Sequence, residues 1–303
     1  MYNKFMKILA ILFFMPVIAF AGGGSLSLDN DMFYHTDRDY THGTKLTHWN
    51  NTVPSFFDKL FEDREKRATY ILAQYMYTST NIAIEELMEG DRPYGGWLYL
   101  GYSLQASTQF RHDSFEIDVG VTGKSSGAGE TQAFIHDIFN AREPLGWGNQ
   151  LDEEVGVNLI WQEKLKYKFS DYIEIIPNYG MSVGTIHTFA NGGFMLRAGY
   201  NLPEDFGPLM MEPVNRTLSN WHFYTFVGAD GRYVARNFFL EGSLFEDSSY
   251  SVEKEDFVGG LRAGASLGIR SFEIIYAYTI RSKEHETQED HNEFGSLILS
   301  WEY

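Results

Sequence analysis

The polar and apolar positions of this chain alternate with a period of two over most of its length. Phe115, Ile117, Val119 and Val121 interleave with Glu116, Asp118, Gly120 and Thr122. Leu261, Ala263, Ala265, Leu267 and Ile269 interleave with Gly260, Arg262, Gly264, Ser266 and Gly268. Phe272, Ile274, Tyr276, Tyr278 and Ile280 do the same against Glu273, Ile275, Ala277, Thr279 and Arg281. Each run has one apolar face and one polar or very small face, as a tilted membrane strand of roughly ten residues requires. Further strands are expected over 25–31, 41–49, 70–78, 97–107, 159–169, 172–183, 193–200, 221–230, 234–244 and 294–303. The fold class is therefore all-β: a closed, even-numbered antiparallel barrel of about 12 strands. Closure matters because an open edge in lipid leaves backbone groups unpaired. The last strand sets Leu297, Leu299, Trp301 and Tyr303 on one face and ends on an aromatic residue, in the manner of an outer-membrane assembly signal.

The long connections 50–67, 80–90, 124–156, 202–220 and 282–292 are expected at the extracellular end, and short ones such as 170–171 at the periplasmic end. Within one of them, 129–151 (GETQAFIHDIFNAREPLGWGNQL) departs from the period of two and reads as a short helix followed by a turn. The first 21 residues carry Lys4 and Lys7, an apolar run from Ile8 to Phe20, and Ala19-Phe20-Ala21. That is the pattern of a secretory signal peptide, its apolar run shorter than the roughly 20 residues of a spanning helix. Residues 22–303 are expected to form a single domain, without internal repeat or linker.

Composition supports export and a barrel. The chain has no cysteine, 29 glycines, 19 tyrosines and 24 phenylalanines. Disulfides and thiolate metal sites are thereby excluded. A formal charge of −17 argues against nucleic acid as a partner and is compatible with divalent cations bridging to anionic headgroups.

Several residues could carry chemistry. Asp29-Asn30-Asp31 and the run from Thr36 to Gly43 place hard oxygen ligands close together, as Ca²⁺ prefers. The spacing is not that of an EF-hand, and Asn and Asp also favour turns for backbone reasons. Arg92, in Gly90-Asp91-Arg92-Pro93, either forms a local charge cluster with Asp91 or holds an anionic headgroup. Gln132 and His136, four apart on a helix, project from one face. His136 reads either as a general base or as a satisfied structural histidine. Histidine spacing gives no zinc site. Gly264-Ala265-Ser266-Leu267-Gly268 matches G-x-S-x-G, but it lies inside an alternating strand where a nucleophile elbow needs a sharp strand-to-helix turn.

Taken together, Asn30-Asp31, Asp39-Tyr40-Thr41-His42-Gly43, Gly90-Asp91-Arg92, Gln132-x-x-x-His136 and Trp147-x-x-Gln150 resemble the lipid A 3′-O-deacylase (LpxR-type) family of outer-membrane enzymes. The resemblance runs from Ser25 to the C-terminus. It implies a 12-stranded barrel in the bacterial outer membrane, with the active site toward the outer leaflet. It also implies Ca²⁺-dependent hydrolysis of the ester that holds the 3′-linked acyloxyacyl chain of lipid A in lipopolysaccharide. His136 then corresponds to the general base, Gln132 and Thr41 to catalytic positions, and Asn30 and Asp31 to metal ligands. One departure stands: the family site includes a lysine between the second and third motifs, whereas 78–90 contains no Lys or Arg, leaving Arg92 as the nearest substitute for substrate binding. A monomer is expected. The alternatives are a catalytically silent barrel that binds headgroups, a small pore, or another lipolytic barrel. The last would show a His and a Ser separated by one residue on a strand, and none of the expected strands carries such a pair.

Overall fold

The computed structural model describes residues 22–31, 38–208, 221–245 and 250–303. The expected signal peptide lies outside them, as do Thr36 and Asp37 of the run from Thr36 to Gly43. The strands in chain order are β1 (Gly22–Asn30), β2 (Asp39–Asn50), β3 (Glu65–Thr78), β4 (Gly95–Ser107), β5 (Arg111–Thr122), β6 (Val155–Leu165), β7 (Tyr167–Ser170), β8 (Ile173–Gly184), β9 (His187–Tyr200), β10 (Trp221–Asn237), β11 (Phe257–Ile269), β12 (Phe272–Arg281) and β13 (Asn292–Glu302). β6 and β7 are one strand interrupted at Lys166, since both pair with β8. That leaves twelve spans among the described residues, each antiparallel to its neighbours. β1 pairs with β13 and β6 with β8, so the sheet closes without a free edge. No helix among the described residues is long and apolar enough to cross a membrane.

Alternation sets which side chains meet lipid. Leu72, Leu100, Ile117, Val119, Leu159, Val227, Leu261, Leu267 and Ile274 are exposed on the outward face. The inward face fills the lumen. Tyr40, Tyr77, Trp97, Phe238, Phe239 and Phe294 belong to one apolar layer, and Ile176, Met195, Tyr224, Phe226, Ile275 and Ile298 to another. A cavity of about 130 Å³ is lined by members of both layers together with Asp29, Lys45, Glu116, Asp118, Arg232, Arg262 and Arg281.

Two expectations are corrected here. Connections alternate strictly between the two ends, and the chain termini mark one of them: the Tyr303 amide donates to the Gly22 carbonyl at 3.0 Å. Asn50 lies opposite Gly22, so the connection to β3, with its short helix α1 (Ser55–Leu60), leaves at the terminal end. The connection from β9 to β10 leaves there too, since Phe223 pairs with Tyr200. These two long connections therefore leave at the end opposite the other three, so the five cannot share one side of the membrane as expected: strand parity rather than loop length decides the side.

The second correction concerns 221–230 and 234–244, expected as two strands. Gly231 does not turn the chain; it sits within β10 opposite Gly192 and Gly259. β10 then ends at Asn237, whose side chain accepts the Phe239 amide at 3.1 Å and caps the one-turn helix α3 (Phe238–Glu241). Capping turns Phe238 and Phe239 into the mouth of the lumen, where both are fully buried and Phe239 stacks on Tyr77 at 4.2 Å.

Candidate active site

The site is built on the outside of the barrel wall, at the end opposite the chain termini. Ser27 and Asp29 of β1 line the lumen, which turns Asn30 outward. Gly43 and Lys45 of β2 line it too, so His42 and Thr44 face out. A register shift between Tyr40 and His42 keeps Tyr40 in the lumen as well, and Thr41 is the extra residue of that bulge. On β3, Tyr75 and Tyr77 are inward and Gln74, Met76 and Thr78 outward. The Thr41 and Thr78 hydroxyls meet at 2.6 Å.

The connection between β5 and β6 lies against this wall. Its 3-10 turn (Gly123–Ser126) leads into helix α2 (Ala128–Phe139) through Gly127, whose φ of 66° falls in the left-handed region. The Gln74 amide donates to the Ser126 carbonyl at 2.7 Å, tying the turn to β3. Gly96 on β4 lets the helix approach: a Cβ there would stand 2.2 Å from Ser126 Oγ and 2.4 Å from Ala128 Cβ. The far side of the loop is tied to the β3–β4 connection, with the Leu145 amide donating to the Ile82 carbonyl and the Leu151 amide to the Tyr94 carbonyl, both at 2.8 Å.

Gln132 and His136 of α2 are the candidate catalytic groups. The Trp147 indole donates to Gln132 Oε1 at 2.7 Å, which fixes the orientation of the amide and leaves Nε2 as its donor end. Trp147 itself packs edge-on against Tyr94 at 5.2 Å. His136 sits in the last helical turn. Asn140 takes a left-handed conformation (φ 54°) just after it and folds the chain back, so that the Arg142 carbonyl closely contacts His136 Nδ1. A carbonyl only accepts, so Nδ1 carries the proton and Nε2 is the basic nitrogen. Gln132 and His136 are only 2% and 3% exposed, which shields both from bulk water.

Asp31 and Thr41 are buried as deeply. Asp31 opens the β1–β2 connection: its amide donates to the Thr41 carbonyl at 3.3 Å, and its Oδ2 accepts the Arg38 amide at 2.8 Å. Asn30, Asp31 and Thr41 are therefore joined through one strand pair, and Thr41 reaches β3, against which α2 packs. As a donor set they are hard oxygens and fit Ca²⁺. Among the described residues no three His, Asp or Glu side chains are grouped as metal ligands, so a cation here would rely on amide, hydroxyl or carbonyl oxygens beside Asp31.

Arg92 belongs elsewhere. It is 1% exposed, with Nε 3.3 Å from Asp39 Oδ1 and Nη2 2.7 Å from Glu284 Oε2. The guanidinium, read from sequence either as part of a charge cluster with Asp91 or as a headgroup ligand, is paired with two carboxylates distant in the chain, in the layer of connections above the lumen. Burial raises the Glu284 carboxyl, but Arg92, Arg281 and Arg232 outweigh it and hold the group below the ordinary carboxylate value.

Sequence reasoning missed His42, Thr44 and Gln74. Their signal was a break in pattern, polar residues on the face of β2 and β3 that elsewhere carries Leu46 and Leu72. It also missed two histidine–serine contacts. β5 begins at Arg111, earlier than expected, and so carries His112 and Ser114, two apart and both inward near the terminal end; Ser107 Oγ lies 2.7 Å from His112 Nδ1. Ser266, in the G-x-S-x-G run, lies 3.2 Å from His222 Nε2 and donates to Glu273 Oε1. Glu273 meets that same His222 nitrogen at 3.0 Å. The ring is therefore not held between acid and serine as a nucleophile's base must be.

The barrel fold agrees with comparison to known proteins. The family model described as "Outer membrane protein LpxR" matches residues 7–303. LpxR from Salmonella typhimurium has the same fold, with a TM-score of 0.79 at 19% identity, over 93% of this chain and 100% of that one. The β domain of the Bordetella autotransporter BrkA is more distant, with a TM-score of 0.50 at 10% identity, over 93% of this chain and 99% of that one. No curated protein sequence matches the chain. The chain belongs to the LpxR family of outer membrane proteins.

Proposed function

We propose that the protein is a lipid A deacylase that hydrolyses the ester of the 3′-linked acyloxyacyl chain. One observation carries this reading: a histidine with a defined basic nitrogen is clamped by its helix against the lipid-facing wall rather than inside the lumen. A base in that position meets esters that arrive laterally, through the outer leaflet. His136 Nε2 takes a proton from water as the water oxygen attacks the acyl carbonyl, and returns it to the departing sugar oxygen. The products are the free acyloxyacyl acid and a 3′ hydroxyl. The Arg142 carbonyl holds the ring through this exchange, and the C-terminal end of α2 favours the positive charge that passes onto it. The Gln132 NH₂ group donates to the reacting oxygens. Asn30, Asp31 and Thr41 would hold Ca²⁺, which supplies charge stabilisation to the oxyanion when bound.

The test is mass spectrometry of lipid A after incubating lipopolysaccharide with the purified protein and Ca²⁺. The native protein should release the 3′ acyloxyacyl chain and His136→Ala should not. Unchanged lipid A with the native protein would instead favour a silent barrel, the reading to which the missing Lys or Arg in 78–90 lends weight.

A further inference from the structure

His42 is the residue of the outward wall that membrane patterning leaves unexplained. It stands on β2 where a strand facing lipid carries an aliphatic or aromatic side chain, and it is 8% exposed. Its Nδ1 lies 3.3 Å from Asn30 Nδ2, and its Nε2 lies 2.7 Å from Thr44 Oγ1. The end of an asparagine side chain bears two atoms of similar size and opposite roles, so its orientation is set by its partners. With Nδ2 toward the ring, Nδ1 must accept, which puts the ring proton on Nε2, where Thr44 Oγ1 accepts it. Asn30 Oδ1 then points away from His42, as a hard-cation ligand must. The opposite tautomer would draw Oδ1 to the ring and turn the NH₂ group toward the cation.

We propose that His42 is a positioning residue: as the Nε2–H tautomer, locked by Thr44, it orients the Asn30 amide so that its oxygen faces a bound divalent cation. The inference rests on reading Asn30 as a ligand in the proposed site. It adds a residue from the variable position of the Asp-Tyr-Thr-x-Gly run, and a partner, Thr44, beyond that run.

The test is calorimetric titration of Ca²⁺ into the full-length barrel in detergent, with the melting temperature measured in parallel. His42→Phe keeps a ring but removes the acceptor, and should raise the Kd for Ca²⁺ about tenfold, the usual scale for a partner that orients a ligand. His42→Asn offers Oδ1 where Nδ1 stood and should restore most of the affinity. In an Asn30→Asp background both terminal atoms are oxygens, so adding His42→Phe should change the Kd less than about twofold. Thr44→Val, which removes the acceptor on the far side of the ring, should weaken binding in the same direction and serves if His42→Phe does not fold. Native protein that binds Ca²⁺, with His42→Phe or Thr44→Val binding it equally well, overturns the inference alone. Native protein that takes up no Ca²⁺ removes the metal reading of Asn30, and the inference with it.

Discussion

His136 owes its direction to backbone rather than to another side chain. The Arg142 carbonyl selects the tautomer, and the left-handed Asn140 brings that carbonyl within reach. Replacing His136 with Ala should therefore cut deacylation by about 10²–10⁴-fold, the range of a lost general base, without moving the melting temperature by more than a degree or two. Trp147→Phe keeps the packing on Tyr94 but frees Gln132 Oε1, so the amide loses its orientation and kcat should fall while the fold stays intact. Arg92 is a different kind of residue. Replacing it with Met takes from Asp39 its guanidinium partner and leaves Glu284 with Arg281 as its remaining ion pair, and should cost about 3 kcal/mol in denaturant unfolding. The same pair sets a pH dependence. Glu284 titrates below its ordinary value, so its stabilisation is complete above about pH 4.5 and is lost as pH falls through the folded value. Melting temperatures measured down this acid range should fall less steeply for Glu284→Gln than for the native chain.

At the scale of elements, the helix on the wall depends on what the wall lacks. Gly96→Val would drive a side chain into Ser126 and Ala128, lifting α2 while leaving the β3–β4 ladder in place. Limited proteolysis should then cut within 123–154, with the barrel core protected and deacylation lost. Strands were legible from sequence wherever one face was apolar over many residues, as in β5, β11 and β12. Legibility failed at Gly231, because a glycine between alternating runs reads as a turn until two neighbouring strands supply glycines beside it. It failed again at Phe238–Glu241, where a cap on Asn237 overrides strand-like composition. The candidate site was legible only as motifs, Gln132 with His136 and Asn30 with Asp31. That the helix lies outside the wall was not, because it follows from counting which alternate residues face the lumen across four strands. Arg92 misled for a related reason: its partner Glu284 is almost two hundred residues away, and nothing local announces the pair.

At the scale of the whole molecule, the described residues form a barrel whose interior carries packed side chains. Apolar layers and a polar cavity together occupy the lumen, and α3 turns two phenylalanines into its mouth. Planar-bilayer recordings of the native protein should show no stable conductance step. Phe238→Ser with Phe239→Ser, which removes aromatic bulk from the mouth, should add at most brief, small openings. Large steady steps from the native chain would return the pore to contention.

The pairing of β1 with β13 sets a timetable for assembly. Gly23 lies opposite Glu302, so the contact that closes the cylinder joins residues at nearly the greatest separation the described chain allows. Such a contact is the slowest to find, because the loop it closes spans the whole barrel. Until β13 is present, β1 and β12 both offer unpaired backbone, a state that hydrocarbon does not tolerate. The barrel cannot therefore enter lipid strand by strand as an open sheet: the first strand must be kept waiting, its edge covered by something else, until the last residues of the chain arrive.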